Sequence, residues 1–292
     1  QNITETGKFF ADNKSTVFRY LIFVVFFILM VRWLKRVYKK FEFNEIDRNL
    51  IHARDVIVEH GEATILYLSI LGFLIYTENR PTILTDVLHL MILIVSIPLV
   101  RPFMRDSFKN LLYFIILVFI LDSAKTYIWF SSLQYRIYLL FEASVIVLLL
   151  YKYAFKNLFT VKFEEHYFGA LLIRLAPVFQ LIALISIFSN VLGYTNLTDL
   201  TLNISAKSGV YAFISYALLM VLGALAIGVV HNYFESRGLA DEMNKKSIQR
   251  KLLNSIRWIA FFFWVLIFLN FVDLLPSITV YLTDQLTEPY TF

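Results

Sequence analysis

The chain has 292 residues, 59% of them hydrophobic, and a formal net charge of +5. A soluble domain of this size carries fewer apolar residues, because its surface is mostly polar. Apolar runs of about 15–25 residues recur along the whole length, as ~20-residue bilayer-spanning helices require, and a β-barrel is excluded because its strands alternate over only ~10 residues.

The absence of cysteine removes disulfides, thiolate metal sites and cysteine nucleophiles. The basic residues sit at the ends of apolar runs and do not form one soluble patch, which argues against a nucleic-acid partner. The fold class that follows is all-α integral membrane, with about eight transmembrane helices and two amphipathic interfacial helices. The chain begins with Gln1 and shows no signal-peptide pattern, so it reads as a processed chain or a piece of a longer one. The N-x-S/T triplets at Asn2, Asn13, Asn196 and Asn203 are too common by chance to carry weight.

Residues 1–16 are polar and read as an external approach segment. The first span is expected over Val17–Leu34, closed by Arg32, Trp33, Lys35 and Arg36, a basic and aromatic boundary of the kind found on the cytoplasmic side. Phe41–Glu62 carries charges of both signs, with Ile46, Leu50, Ile57 and Val58 near helical spacing. It reads as an amphipathic surface helix, so that 17–62 forms one segment.

Peripheral spans two to five are expected within 63–167. They are Ala63–Thr77, Thr82–Val100 after the turn Glu78-Asn79-Arg80-Pro81, Phe108–Ala124 and Tyr135–Phe155. Span two is short and borrows length from its neighbours, and Pro98 kinks or ends span three. The segment 168–275 holds span six (Phe168–Leu192), span seven (Lys207–His231), a polar cytoplasmic loop 232–257 with an interfacial helix, and span eight (Ile256–Leu275). An external tail, 276–292, has no lysine or arginine. Alternate loops test the orientation: those after spans one, three, five and seven carry 18 Lys and Arg, against 7 on the other side. Both termini are therefore expected outside.

Ionisable groups inside spans are costly and usually face protein or water. Asp86, Asp122 and Asp273 fall within about two turns of an expected end, so interfacial water is within their reach. Glu142 and Arg174 are deeper, ~10 Å below the outer boundary and ~9 Å above the inner one at ~1.5 Å per residue. Such a pair reads first as structural, either ion-paired or with Arg174 snorkelling to inner lipid phosphates. A relay or substrate site in a transporter is the alternative. Pro177, one turn after Arg174, frees the carbonyl of Ile173 and reads as a kink.

No H-E-x-x-H, G-x-S-x-G or P-loop motif occurs, the five histidines are dispersed, and no clustered polar groups suggest catalysis or a cofactor site. The small residues of the chain gather in span seven, including Gly223, Ala224 and Gly228. Small-xxx-small spacing lets helix backbones approach closely. Span seven is therefore expected to be an inner packing element, with the phenylalanine-rich spans outside it and Gly193 at the outer turn between spans six and seven.

Asn79-Arg80-Pro81 leading into a Leu/Ile-rich span that ends Ile97-Pro98-Leu99-Val100-Arg101 forms one half of a pattern. Asn190-Val191-Leu192-Gly193-Tyr194-Thr195-Asn196-Leu197-Thr198 forms the other. Together, over about residues 60–280, they resemble the membrane sensor region of large MscS-like mechanosensitive channels, the MscK-type members with extra helices. The resemblance implies a periplasmic N-terminus, a bacterial inner-membrane location, a heptameric homo-oligomer and contacts with anionic inner-leaflet lipids. The Gly/Ala-rich pore helix and the cytoplasmic vestibule of such channels lie outside this sequence. The function implied is that of a tension-sensing paddle, with a secondary transporter or a membrane scaffold subunit as the competing readings.

Overall fold

A computed structural model describes the chain apart from residues 1, 41–52, 78–79, 102–105, 129, 131, 154–166, 237–241 and 272–292. Among the described residues it is all helical. In chain order the elements are α1 (Asn2–Asp12), α2 (Lys14–Lys40), a π-helical turn (Asp55–Glu59), α3 (Gly61–Tyr76) and α4 (Thr82–Val100). They continue with α5 (Asp106–Ala124), a 3₁₀ turn (Lys125–Tyr127), α6 (Leu133–Tyr153), α7 (Tyr167–Val191), α8 (Thr195–Ser236) and α9 (Glu242–Phe271).

Among the described residues, four helical stretches are long and apolar enough to cross a membrane: Lys14–Lys40, Thr82–Val100, Leu133–Lys152 and Thr195–Phe234. The 16 residues of α3 span only ~24 Å at ~1.5 Å each, short of a ~30 Å hydrocarbon core.

Several expected boundaries shift. The approach segment is helical, as α1. Thr195–Ala206, taken as loop, forms the first three turns of α8, which runs 42 residues without a break. Within the loop expected over 232–257, α8 runs on to Ser236, and the expected interfacial helix is continuous with span eight in α9. Most of the expected amphipathic segment, the external tail and Asp273 lie outside the described residues. Of that segment, Val56 and Ile57 are visible and fully buried, so this part serves a protein core.

The chain divides into two compact units. One comprises the first 105 residues and Phe213–Ala260. In it α3 packs between α2 and α4. Tyrosine hydroxyls meet main-chain carbonyls: Tyr38 Oη donates to Ala224 O at 2.7 Å, Tyr67 Oη to Ile214 O at 2.7 Å, and Tyr20 Oη to Ser69 O. A β-carbon on Gly228 would lie 2.8 Å from Leu34 Cδ2 and 2.9 Å from Tyr38 Cε2, and one on Gly223 would lie 3.2 Å from Leu253 Cδ2. These glycines allow the close approach expected of span seven. Only 11% of the apolar window of α2 is buried, against 50% for α8. α8 is thus the inner element, and α2 turns Phe18, Phe23 and Phe26 outward.

The second unit comprises Asp106–Ala212 and the C-terminal stretch beginning at Phe261. Here α6 packs along α7 and against α5. Its apolar core is Tyr135, Leu139, Ala143 and Ile146 of α6, with Ala183 of α7 and Leu202 and Ala206 of α8. Trp264 Nε1 donates to Ser208 O at 3.2 Å.

Candidate functional site

The second unit holds a buried cluster of charged side chains, and local sequence explains how three elements bring them together. Ser132 caps α6, its Oγ accepting from the Tyr135 main-chain N–H at 3.0 Å, which satisfies one of the free donors at a helix start. From that start Tyr135, Leu139 and Glu142 recur at three- and four-residue spacing on one face. On α8, Asp199, Asn203 and Lys207 are each four apart and share a face for the same reason. The third element is the end of α5 with its 3₁₀ turn, where Asp122 and Lys125 stand three residues apart.

Lys125 is the hub. Its Nζ lies 2.6 Å from Asp122 Oδ1 and 3.1 Å from Asp199 Oδ1, and it donates to Asn203 Oδ1 at 2.7 Å. Asn203 takes its hydrogen bond, and the two carboxylates are held by charge. Lys207 adds a second cation, 3.7 Å from Asp122 Oδ2. Asp199 is further held by Tyr135 Oη at 3.0 Å and by Asn203 Nδ2 at 3.2 Å. Burial alone would lower the Lys125 pKa, but Asp122, Glu142 and Asp199 together outweigh it and push it up. Lys125 therefore stays cationic through the physiological range.

Glu142 is fully buried. It lies within electrostatic reach of Lys125, Asp122, Asp199 and Lys207, yet neither carboxylate oxygen has a hydrogen-bond partner. Asp122, expected to reach water, is only 4% exposed. The 3₁₀ turn folds Lys125 back over it, so its charge is met by ammonium groups and not by solvent.

The other sequence-selected residues fall elsewhere. Arg174 is in α7, and its side chain lies outside the described residues. Pro177 sits half-buried within α7, which continues through it for fourteen more residues. Gly193 has φ of +90°, and its N–H bonds Asn190 O at 3.0 Å while that of Tyr194 bonds Ser189 O at 2.9 Å. This pair of bonds is the Schellman motif, with glycine at the left-handed position. Arg136 and Asn190 close the same end of the unit reciprocally: Arg136 Nη2 donates to Asn190 O at 2.7 Å, and Asn190 Nδ2 to Arg136 O at 2.6 Å. Gly223 and Gly228 serve packing in the first unit and take no part in the cluster.

Lys125, Asp199, Asn203 and Lys207 were not singled out from sequence. The signal that could have found Asp199, Asn203 and Lys207 is their four-residue spacing after Gly193, which reads as a polar helix face once the turn is taken as a helix boundary; Lys125, on the 3₁₀ turn, has no such signal. Among the described residues no group of three His, Asp or Glu is placed to hold a metal ion. No protein-family model matches the chain, and comparison with curated proteins and with solved structures gives no match.

Proposed function

We propose that this chain is a membrane-embedded sensor that couples bilayer tension to a pore outside these residues, as in large MscS-like channels. The carrying observation is the contrast between α2, with 11% of its apolar window buried and its phenylalanines turned outward, and the half-buried α8. A helix with most of its surface in lipid responds to lateral packing, and tension favours whichever state occupies more membrane area. The reading includes eight spans with both termini outside, a bacterial inner membrane, a homo-oligomer, and basic segments held by anionic inner-leaflet lipids.

Hydrogen–deuterium exchange of the chain in liposomes tests it, with lysolipid added to one leaflet to imitate tension. The expected result is faster exchange along α2 and α3, abolished by the combined substitutions Phe18→Ser, Phe23→Ser and Phe26→Ser. Identical exchange with and without lysolipid would sink the reading.

A second reading, ion-coupled transport, is favoured by one observation: the buried charge cluster around Lys125. Loss of pH-dependent solute uptake in a Glu142→Gln variant would support it. Unchanged uptake would leave the cluster structural.

A further inference from the structure

The charge cluster of the second unit is unbalanced. Asp122, Asp199 and Glu142 supply three carboxylates, and Lys125 and Lys207 supply two ammonium groups, which leaves one negative charge uncompensated if all five are ionised. The imbalance is not shared evenly. Asp122 has both lysines within ion-pair distance, and Asp199 has Lys125, Tyr135 and Asn203. Glu142 has no hydrogen-bond partner on either oxygen and is fully buried, and the central ammonium donates to Asn203 and lies in ion-pair contact with Asp122 and Asp199, not with Glu142. A buried ionised carboxylate without a donor is among the costliest groups a protein can hold.

A metal ion would relieve the charge, but it needs several oxygen donors at once, and no suitable group exists among the described residues. A proton needs only one oxygen. The charged and titratable groups facing Glu142 are Asp122 at the end of α5, Lys125 on the 3₁₀ turn, Asp199 and Lys207 on α8, and Tyr135 and Tyr138 on its own helix. The ionisable residues of α7 are Tyr167 and Arg174, whose side chains lie outside the described residues.

We propose that Glu142 is an exchangeable proton site, set within the α5–α6–α8 cluster. One proton on a Glu142 oxygen brings the five groups to neutrality without disturbing the Lys125 hub. The partly exposed side chains of Lys207, 31%, and Asp199, 26%, form the rim through which the proton exchanges with the outside. The site rests on geometry alone and holds whether the chain senses tension or moves a solute.

Infrared pH-difference spectroscopy of the chain in lipid nanodiscs tests the proposal. A carboxylic-acid C=O band that follows pH as a single proton is expected in the wild type, and Glu142→Gln should remove one carboxyl's worth of it. Superimposable wild-type and Glu142→Gln difference spectra would overturn the proposal. Should Glu142→Gln not fold, the wild type grown with [13C]glutamate decides. A titrating component that shifts with the glutamate label supports the site; one that shifts only with [13C]aspartate, or a glutamate band that never titrates, overturns it. Lysolipid exchange is independent of this readout, so failure of one leaves the other standing.

Discussion

The two units solve the same problem, polar groups in an apolar surrounding, by different means. In the first unit three tyrosine hydroxyls, all neutral donors, reach main-chain carbonyls of a neighbouring helix. Each such bond is self-sufficient, because a phenol that donates once leaves only a weak acceptor unmet. The second unit uses ions, and one ammonium serves two carboxylates and an amide. Ionic clusters bind more strongly per contact but are interdependent, since removing one member strands the others. Neutral tyrosine bonds make a packing device; the ionic cluster, with Glu142 unmet, makes a site whose state can change.

The difference is sharpest if the hub is removed. Lys125→Met should destabilise the chain by about 3–5 kcal/mol, the cost of breaking a buried pair from one side. Adding Asp122→Asn to that background should recover part of the loss, and thermal unfolding in detergent measures both. A background that recovers nothing would show that the cluster does not act as a unit.

In the first unit the largest effect should be steric. Gly228→Ala places a methyl 2.8 Å from Leu34 Cδ2, which should cost about 1–3 kcal/mol in the same assay. Leu34→Ala added to it should restore room, so that the double variant loses less than the two single losses combined.

Gly193→Ala should cost about 1–2 kcal/mol, because a side chain at φ +90° is strained. Gly193→Asn should cost less, since asparagine tolerates that region. Smallest of all, Tyr67→Phe should lose about 1 kcal/mol, the net worth of one neutral hydrogen bond. A Tyr67→Phe loss as large as that of Lys125→Met would erase the distinction between the units.

The pH dependence separates them further. The raised Lys125 pKa contributes stability fully present below the ordinary lysine value and lost as pH rises through the higher folded value. Cluster stability carried by Lys125 should therefore be flat from neutral to moderately alkaline pH and fall only in strong alkali. Unfolding midpoints of wild type and Lys125→Met should converge there.

Much of the helical order is legible in the sequence. Thr82–Val100 coincides with α4 because Pro81 fixes its start and the apolar run is uninterrupted. The Gly193 turn is equally readable, since a glycine between two apolar runs supplies the left-handed residue that a helix end requires. The inner position of the small-residue span follows from Gly223 and Gly228 alone.

The cluster was not legible, and the reason is physical. Lys125 meets Asn203 across 78 residues, and helix periodicity reports faces without reporting which faces meet. Asp122 and Lys125 each sit at a helix end, where water is the default partner. Only the 3₁₀ turn after α5 folds them inward. Glu142 was found because depth alone marks it, whereas the ammonium beside it lies in a stretch that reads as loop.

The length of α8 has a consequence for measurement. Its 42 residues reach ~63 Å at ~1.5 Å each, about twice the ~30 Å thickness of bilayer hydrocarbon. Set across a bilayer along its normal, this one helix would leave ~30 Å in headgroups or water. Since the sequence contains no cysteine, a single introduced thiol would be the sole target for an impermeant maleimide. Moved residue by residue from Thr195 to Ser236, it turns α8 into a graduated rod on which the two faces of the membrane can be read off directly.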